Sequence, residues 1–516
     1  MKNSVKTVGS IFVIILLSKV LGQIREMMLA ACYGTGMEAN AFTTASQIPL
    51  NFFDMILGMA IVSAFVPVFN EYYQKEGMKS ANSFANHFIG IVTIISSIIA
   101  VLGVLCSGFL VSLIAHGLDE QTAALTSSLL KIMFPSIIMT AAAFSVAGIL
   151  QSFGEFKAPA AMSVVSNGIT ILYLLIFNNR IGIYGLAWSM LLGWSMQLII
   201  LIPYLFRFRF KFRFRANFLH PGMKKVYKLA GPILLSSWVQ PLNVLVNIGL
   251  ASFLNEGQAV SAINYANRLY LIIAGVFTMA VTNLILPSLS RLHTAGKQEE
   301  AGEIILSSLK AVVLFLMPVM GMFLIFCLPI VQVIYQSGSF DEYSTMLTST
   351  ALFFYSFGML GYGLQEILNK SFYSMQKSTV PMKNAFLTIG INVVLSFVLS
   401  KVMGIGGLAL AAAIAATVGG CALLFAIRKY NSYVRPVEIL PTFLKSLAAT
   451  VVGCVAAYFL YKYLGVYGTN RILKFVMLAI SGGIGVVVYL VMLLVLKTKE
   501  VYELLSMFRK GGEVDE

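Results

Sequence analysis

The chain is dominated by long apolar runs that short polar segments separate. Runs of about 18 or more mostly apolar residues recur along the 516 positions, and that length is enough for a helix to cross a bilayer. The pattern predicts fourteen spans, centred near residues 20, 55, 100, 137, 168, 193, 239, 275, 318, 358, 391, 416, 450 and 484. The predicted fold class is therefore an all-α polytopic membrane protein.

Polar residues interrupt the first apolar run on one side of the helix only. On a helical projection they fill a continuous arc of about 160°. The residues of this arc are Ser18, Lys19, Gly22, Gln23, Arg25 and Glu26. A charge at the centre of a membrane helix costs roughly 2.5 to 3.5 kcal/mol, so the arc should face protein or water rather than lipid. The first span thus predicts a polar cavity within the membrane.

Other spans also carry polar stripes. The stripe of the second span contains Asn40, Thr43, Thr44, Gln47, Asn51 and Asp54, and that of the eighth contains Ser261, Asn264, Asn267 and Arg268. Pro49 should bend the second span, because proline removes a helical hydrogen bond. In the tenth span, Glu366 and Lys370 have the spacing of a helix-surface ion pair, and this is the simpler interpretation of them.

The two halves of the chain contain related segments at an offset of about 220 residues. The clearest pair is GIYGLA at 182–187 and GIGGLA at 404–409. This period contains six predicted spans, an even number, so the two copies should have the same orientation, with a substrate path between them. We predict a six-helix lobe at 1–205, a basic and aromatic interfacial linker at 206–223, a second six-helix lobe at 224–430, two extra helices at 431–500 and a cytoplasmic tail at 501–516.

The net charge of +15 reflects topology. Most Lys and Arg residues lie in segments on the side of the N-terminus, and the positive-inside rule places that side, with both termini, in the cytoplasm. The linker alternates strictly, as FRFRFKFRFR at 206–215, which in a nucleic-acid-binding protein would suggest base stacking with phosphate contacts. Because it directly follows a membrane span, we interpret it as an interfacial segment on anionic lipid headgroups, and we predict no nucleic-acid partner.

Residues typical of catalytic or metal sites are scattered along the sequence. The five cysteines and four histidines have no disulfide or metal-ligand spacing, and no phosphate-binding loop or nucleophile motif is found. The enzyme alternative, a lipid-linked sugar polymerase or ligase, would need a catalytic constellation in a long outer loop, whereas the predicted outer connections are short. We therefore predict a transporter without a metal site or cofactor.

The predicted cavity holds more cations than acids. Lys19, Arg25 and Arg268 exceed Glu26 and Asp54, and buried cations in surplus need an anion from elsewhere. Lys and Arg bind phosphate well, so we predict a phosphate-bearing substrate that is moved by rocking of one lobe on the other. The alternative is that each cation pairs with an acid and only locks helices together.

These motifs resemble the MurJ (MviN) family of lipid II flippases, in the multidrug/oligosaccharidyl-lipid/polysaccharide exporter superfamily. SKVLGQIRE at 18–26 is similar to the family pattern Ser-Arg-Val-Leu-Gly-x-x-Arg-Asp. ANRL at 266–269 is similar to Ala-Asp-Arg-Leu, and LPSLS at 286–290 is similar to Leu-Pro-x-Leu-Ser. The resemblance implies a V-shaped cavity between two lobes, cations on the lipid diphosphate, and a groove formed by the two extra helices for the polyprenyl tail.

The resemblance further implies a flippase of the bacterial inner membrane that serves peptidoglycan synthesis, cell-wall biogenesis and cell shape. By alternating access it would carry undecaprenyl-diphosphate-linked peptidoglycan precursor, lipid II, from the cytoplasmic to the outer leaflet. The diphosphate contacts carried over are Lys19, Arg25 and Arg268, and the expected hydrogen bonds to sugar or peptide come from Asn40, Gln47, Asn51, Asn264 and Asn267. Glu26 and Asp54 are candidates for ion coupling, and the membrane potential, Na⁺ or H⁺ could each drive the cycle.

The chain departs from the family pattern at positions that carry charge in the family. A basic pair of the second span falls on Phe53 and Asp54, and family acids fall on Asn40 and Asn267. These departures keep open a flippase for another polyprenyl-linked saccharide. A separate alternative is a cation-coupled multidrug exporter of the same superfamily, which should favour acids over bases in its cavity. Membrane lipids and the cell-wall synthesis machinery are the other expected partners.

Overall fold

The fold is helical, as the apolar pattern predicts. A computed structural model describes residues 2–58, 61–208, 210–465 and 470–502, and in these residues every regular element is a helix and no strand occurs. The chain forms two compact units. The first comprises Met1–Ser261 and Ser337–Phe340, and the second comprises Ala262–Gln336 and Asp341–Glu516.

The first unit contains twelve α-helices within its described residues. They are α1 (Lys2–Tyr33), α2 (Met37–Phe53), α3 (Val66–Glu76), α4 (Met78–Leu105), α5 (Ser107–Ile114), α6 (Glu120–Met133), α7 (Ser136–Ser152), α8 (Lys157–Ile176), α9 (Asn178–Ile199), α10 (Ile202–Arg207), α11 (Pro221–Ser237) and α12 (Val239–Ser252). Two π-helical segments, Asp54–Gly58 and Ile61–Phe65, follow α2, and a 3₁₀ turn, Asn255–Gly257, follows α12.

The second unit contains the remaining helices. They are α13 (Ala259–Thr294), whose first turn still belongs to the first unit, α14 (Gln298–Tyr335), α15 (Glu342–Ser356), α16 (Met359–Ser374), α17 (Thr379–Met403), α18 (Ile405–Ile427), α19 (Leu440–Gly465) and α20 (Arg471–Val495). A 3₁₀ turn, Pro436–Glu438, precedes α19.

The boundary between the compact units falls at Ser261. Helices α11 and α12, which the repeat assigns to the second lobe, therefore group with the first unit. The boundaries of the lobes, the linker and the extra helices stay a prediction. Arg209, residues 466–469 and residues 503–516 of the predicted tail lie outside the described residues.

Long apolar helices account for most of the predicted spans. Nine helical stretches in the described residues are long and apolar enough to cross a membrane, or ten if α6 and α7, bent by 40° at their junction, form one span. The other four predicted spans coincide with α1, which carries five charged residues, and with helices that break, at α2, α11–α12 and α15–α16. The protein is thus a multi-pass membrane protein, and the count of fourteen stays a prediction.

The second predicted span continues through Pro49 as α-helix and changes to π-helix at Asp54, and the bend expected at Pro49 stays a prediction. Pro49 lies inside α2, and the π-helical segment begins at Asp54. Phe65, at the end of the second π-helical segment, stacks on Phe88 of α4 with ring centroids 4.2 Å apart. Because π-helical turns leave some carbonyls poorly satisfied, they need partners from neighbouring helices. Trp238, between α11 and α12, supplies one: its indole N–H donates to the Met55 carbonyl at 2.8 Å.

A short connection of the second half of the chain belongs to the first unit. Residues 337–340 lie at the carboxyl end of α1, where the Ser339 N–H donates to the Ala31 carbonyl at 2.8 Å and the Ser339 hydroxyl donates to the Cys32 carbonyl at 2.9 Å. Gly338 has φ of +57°, and a Cβ there would lie 2.2 Å from the Ala31 oxygen. The connection therefore satisfies carbonyls that a helix end leaves open.

The last two helices pack on α14. Tyr489 of α20 donates its hydroxyl to the Leu314 carbonyl at 2.7 Å, and Arg471 donates from Nε to the Val333 carbonyl at 2.7 Å. Lys310 of α14 forms an ion pair of 2.9 Å with Glu500, just beyond α20. These contacts fix the pair α19–α20 along the length of α14.

Candidate cargo-binding residues

Arg25 is held in place by two neighbours rather than being a free cation. Its Nη2 donates to Oε1 of Glu26 at 2.6 Å, and its Nη1 donates to Oδ1 of Asn167 at 3.0 Å. The side chains of Arg25 and Glu26 are only 16% and 5% exposed. The alternative that this cation pairs with an acid and links helices therefore describes Arg25 in this structure, although its guanidinium keeps further N–H donors.

Asn167 is a member of this cluster that the sequence analysis missed. It lies in α8, it is buried, and its Nδ2 donates to the Ser18 carbonyl at 3.4 Å while its Oδ1 accepts from Arg25. One amide thus fixes both the backbone of α1 and the guanidinium. The available signal was a lone strongly polar residue in the middle of an apolar span, which usually faces protein.

Lys19 differs from Arg25 in its surroundings. Its side chain is exposed, and it forms no ion pair with any described residue. Lys19 lies six positions before Arg25 on α1, a separation of about 9 Å along the helix axis. A phosphate that approaches this part of α1 therefore meets an uncompensated ammonium at Lys19 and a partly neutralised guanidinium at Arg25.

Asn40 is fully occupied by internal hydrogen bonds. Its Nδ2 donates to the carbonyls of Thr35 and Gly36 at 2.7 and 2.8 Å. Its Oδ1 accepts from the N–H and the hydroxyl of Ser261 at 2.8 and 2.7 Å, and Asn40 is 1% exposed. The amide joins the start of α2 to the start of α13, so its predicted hydrogen bond to cargo would require these bonds to open.

The remaining polar residues of the second span differ in their solvent exposure. Asn51 is buried and donates from Nδ2 to the Gln47 carbonyl at 2.8 Å, whereas Gln47 is half-buried. Asp54, the next stripe position, is exposed at the first π-helical turn. Phe53, on which a basic residue of the family falls, is buried with its ring 5.3 Å from that of Phe144. Position 53 thus serves packing, and Asp54 is the accessible acid of the stripe.

In the second unit, Arg268 lies on one face of α13 together with two amides. Asn264, Asn267 and Arg268 are spaced as neighbours on a helix surface and all are half-buried. Asn267 is hydrogen-bonded to Tyr355, and the ring of Tyr355 stacks on that of Tyr270 with centroids 5.7 Å apart. The polar face of α13 is therefore bordered by tyrosines.

Other chemistry is sparse in the described residues. They contain no group of three or more His, Cys, Asp or Glu side chains that could hold a metal ion. Glu366 and Lys370 are both half-buried in α16 and do not form the predicted ion pair with each other. Burial makes such an ion pair less favourable than it would be on an exposed helix surface.

Comparisons with known proteins identify the family of the chain. The family model described as lipid II flippase MurJ matches residues 29–478. A probable lipid II flippase MurJ of Vibrio cholerae serotype O1 is 30% identical over 414 residues, which cover 78% of each chain.

Two solved structures share the fold. The inward closed conformation of lipid II flippase MurJ matches with a TM-score of 0.80 at 23% identity, covering 93% of this chain and 97% of that one. An inward-facing multidrug resistance MATE transporter of the MOP superfamily matches with a TM-score of 0.68 at 14% identity, covering 80% of this chain and 95% of the other. With a family model that spans most of its length, the chain belongs to the lipid II flippase MurJ family.

Proposed function

We propose that this protein binds the diphosphate of its cargo through Lys19, Arg25 and Arg268. By family it is a lipid II flippase, which is a transporter and not an enzyme. The cargo is undecaprenyl-diphosphate-linked peptidoglycan precursor, carried from the cytoplasmic to the outer leaflet by alternating access while the polyprenyl tail stays in lipid. The observation that carries the site is Lys19, an exposed cation without an ion-pair partner among the described residues, in a helix segment whose next cation, Arg25, is already paired with Glu26.

The three cations have different parts in this proposal. Lys19 supplies an ammonium that a phosphate can reach without breaking an existing pair. Arg25 contributes through the N–H donors that Glu26 and Asn167 do not use, in an orientation that those two residues fix. Arg268 contributes from α13, with Asn264 and Asn267 beside it for sugar or peptide groups. Gln47 and Asn51 are further proposed hydrogen-bonding residues, and Asn40 is proposed to contribute only after its internal bonds open.

The direct test is depletion of the protein in cells that contain radiolabelled precursor, followed by rescue. Depletion should cause precursor to accumulate in the inner leaflet. Lys19→Ala and Arg268→Ala should fail to rescue, because each removes a proposed phosphate contact, whereas Lys474→Ala, at an exposed lysine of α20, should rescue fully. Rescue by Lys19→Ala, Arg25→Ala and Arg268→Ala alike would remove the site assignment and leave the fold untouched.

Ion coupling is proposed to involve Asp54 rather than Glu26. Glu26 is buried and paired with Arg25, whereas Asp54 is exposed, and a coupling carboxylate must exchange its ion with solvent. With Na⁺ or H⁺ as the coupling ion, Asp54→Asn should remove the dependence of flipping on the gradient of that ion. Flipping that depends only on membrane potential, in the native chain and in Asp54→Asn alike, would reject this role.

The proposed location is the bacterial inner membrane with both termini in the cytoplasm. The cationic segments predicted on one side support this orientation, and reporter fusions at each terminus test it. The cell-wall synthesis machinery is the proposed protein partner.

The exporter alternative predicts that the protein expels a fluorescent cation, that Asp54→Asn abolishes this efflux and that Arg25→Ala leaves it unchanged. A flippase of an anionic lipid should instead depend on Arg25.

A further inference from the structure

The segment after α10 is both cationic and aromatic. Between residues 206 and 228 the chain contains eight Lys or Arg residues and no Asp or Glu. It follows directly on α9–α10, one of the stretches long and apolar enough to cross a membrane. We call residues 210–219 of this segment the strap. Its position at the end of an apolar helix places it where membrane and water would meet.

The strap backbone is anchored to α4 by one buried side chain. Asn86 is 5% exposed, its Nδ2 donates to the Lys211 carbonyl at 2.9 Å, and its Oδ1 accepts from the Arg213 N–H at 3.0 Å. A side-chain amide that pairs with both a carbonyl and an N–H replaces the neighbour that an extended backbone would otherwise need. The strap is therefore fixed to α4 by hydrogen bonds at two positions of its backbone.

Further contacts pack the strap against other parts of the first unit. A Cβ at Gly90 of α4 would lie 2.0 Å from the Arg215 carbonyl oxygen, so the two backbones are in direct contact. Phe208, just before the strap, stacks on Phe153 with ring centroids 5.0 Å apart, and Phe210 is buried. These contacts hold the strap against the rest of the first unit.

The exposed side chains of the strap include both aromatic rings and cations. Phe212 and Phe214 are 57% and 59% exposed, and Lys211, Arg213 and Arg215 are exposed as well. None of these three cations forms an ion pair with a described residue. By contrast, Lys225 of α11 is already bound to Glu71 at 2.9 Å. Exposed aromatic rings next to exposed cations favour the interface of a membrane that contains anionic headgroups.

We propose that the strap binds anionic phospholipid headgroups, with Lys211, Arg213 and Arg215 on the phosphates and the rings of Phe212 and Phe214 among the glycerol and upper acyl groups. Aromatic rings favour the membrane interface, and each Lys or Arg near an anionic leaflet adds to the attraction. The adjoining apolar helix favours lipid over a soluble polyanion. This role is independent of the cargo and of the residues proposed to bind it.

The test uses the full chain, purified in detergent, and native mass spectrometry with phosphatidylglycerol and phosphatidylcholine of identical acyl chains. The native chain should bind phosphatidylglycerol more tightly. Lys211→Gln/Arg213→Gln/Arg215→Gln should weaken phosphatidylglycerol binding on the order of 100-fold, because three surface cations are lost. It should leave phosphatidylcholine binding within about threefold.

The matched control removes the same charge elsewhere. Lys401→Gln/Lys462→Gln/Lys474→Gln changes three exposed lysines of the second unit and should keep the preference for phosphatidylglycerol. Equal loss in both triple variants, or an unchanged preference in the strap variant, overturns the proposal. A strap variant that keeps its lipid preference but fails to support growth would assign the strap to a protein partner, and this also overturns the proposal.

A second measurement locates the aromatic residues. Phe214→Trp adds an indole to the three native tryptophans, and the added fluorescence should be quenched by phosphatidylglycerol brominated near the headgroup in nanodiscs. Asn86→Ala frees the strap from α4 and should reduce this quenching while the thermal unfolding temperature of the chain stays within a few degrees. If the indole stays unquenched while the triple strap variant still loses phosphatidylglycerol binding, the rings do not enter the interface. That result would overturn this part of the proposal.

Discussion

At the scale of single residues, a partner decides what a charge in a membrane helix can do. Lys19 and Arg25 share one helix and one polar arc, yet Arg25 is bound by Glu26 and Asn167 while Lys19 is exposed. The polar arc could be predicted from helical periodicity alone. The division of roles could not, because it depends on Asn167, which is 142 positions away in sequence.

The Arg25–Glu26 pair predicts a difference between single and double substitution. Arg25→Met alone leaves a buried carboxylate without its cation and should lower the free energy of unfolding by about 3 kcal/mol or more. Arg25→Met/Glu26→Met removes both charges and should recover most of that loss. Thermal unfolding in detergent measures the stability, and precursor flipping in cells measures the function. If Arg25 binds cargo, the double variant is stable and inactive; if Arg25 only locks helices, it is stable and active.

The first turn of α6 predicts a stability that depends on pH. Oδ2 of Asp119 accepts from the Thr122 N–H at 3.0 Å, and its Oδ1 accepts from the Thr122 hydroxyl. The hydrogen bonds from the Thr122 side chain and backbone lower the pKa of Asp119. A lowered pKa means that the stabilisation is complete above the ordinary pKa of the carboxyl and is lost as the pH falls through the lowered value.

Asp119→Ala should therefore cost about 1 kcal/mol at neutral pH and much less in acid below the lowered pKa. Unfolding midpoints of the native and variant chains at several pH values check this. Glu120→Gln, at the next and exposed position, is the control and should change the midpoint little. A penalty for Asp119→Ala that is the same at all pH values would contradict the capping role.

At the scale of elements, two of the predicted spans depart from a continuous α-helix. The second span turns π-helical at Asp54, and the seventh breaks between α11 and α12, at Trp238. The indole N–H of Trp238 donates to the Met55 carbonyl, so the two irregular segments are adjacent. Pro49 predicts a bend, but no local signal predicts the π-helical turns, which depend on packing against neighbouring helices.

Trp238→Phe should weaken the joint between these two breaks. It keeps an aromatic ring and removes the only N–H of the indole, so the free energy of unfolding should fall by about 1 kcal/mol. Amide hydrogen exchange should increase at residues 54–58, whose backbone lies around the lost bond. Trp188→Phe, at an exposed position of α9, is the control and should leave that exchange unchanged. Unaltered exchange in Trp238→Phe would show that the bond does not hold the π-helical turn.

At the scale of the whole molecule, sequence order and compact units do not coincide. Residues 337–340 belong to the first unit although α14 and α15, which they connect, belong to the second. The contact rests on the carbonyls of Ala31 and Cys32 and on the close approach of Gly338. A connection held in this way determines how accessible the carboxyl end of α1 is.

Gly338→Ala should release this connection, because its Cβ would collide with the Ala31 carbonyl. In a variant in which the other four cysteines are replaced and only Cys32 remains, Gly338→Ala should raise the rate of Cys32 labelling by a membrane-impermeant maleimide several-fold. Gly404→Ala is the control, since Gly404 also has positive φ but has open space around its Cβ position. Both variants carry backbone strain of about 1 kcal/mol, and only the first should expose Cys32. Equal labelling in the two variants would contradict the contact.

The sequence by itself determined the helical membrane fold, the internal repeat, the polar arcs and the family, because these follow from hydrophobic periodicity and from residues at fixed local spacing. Only the tertiary structure decided which cation is paired and which is exposed. It also showed that the side chain of Asn40 forms internal hydrogen bonds and that Asn86 anchors the strap. Each of these depends on a partner more than a hundred positions away. Local patterns place a polar residue on a face, but what it binds there depends on the distant residue that folding brings to that face.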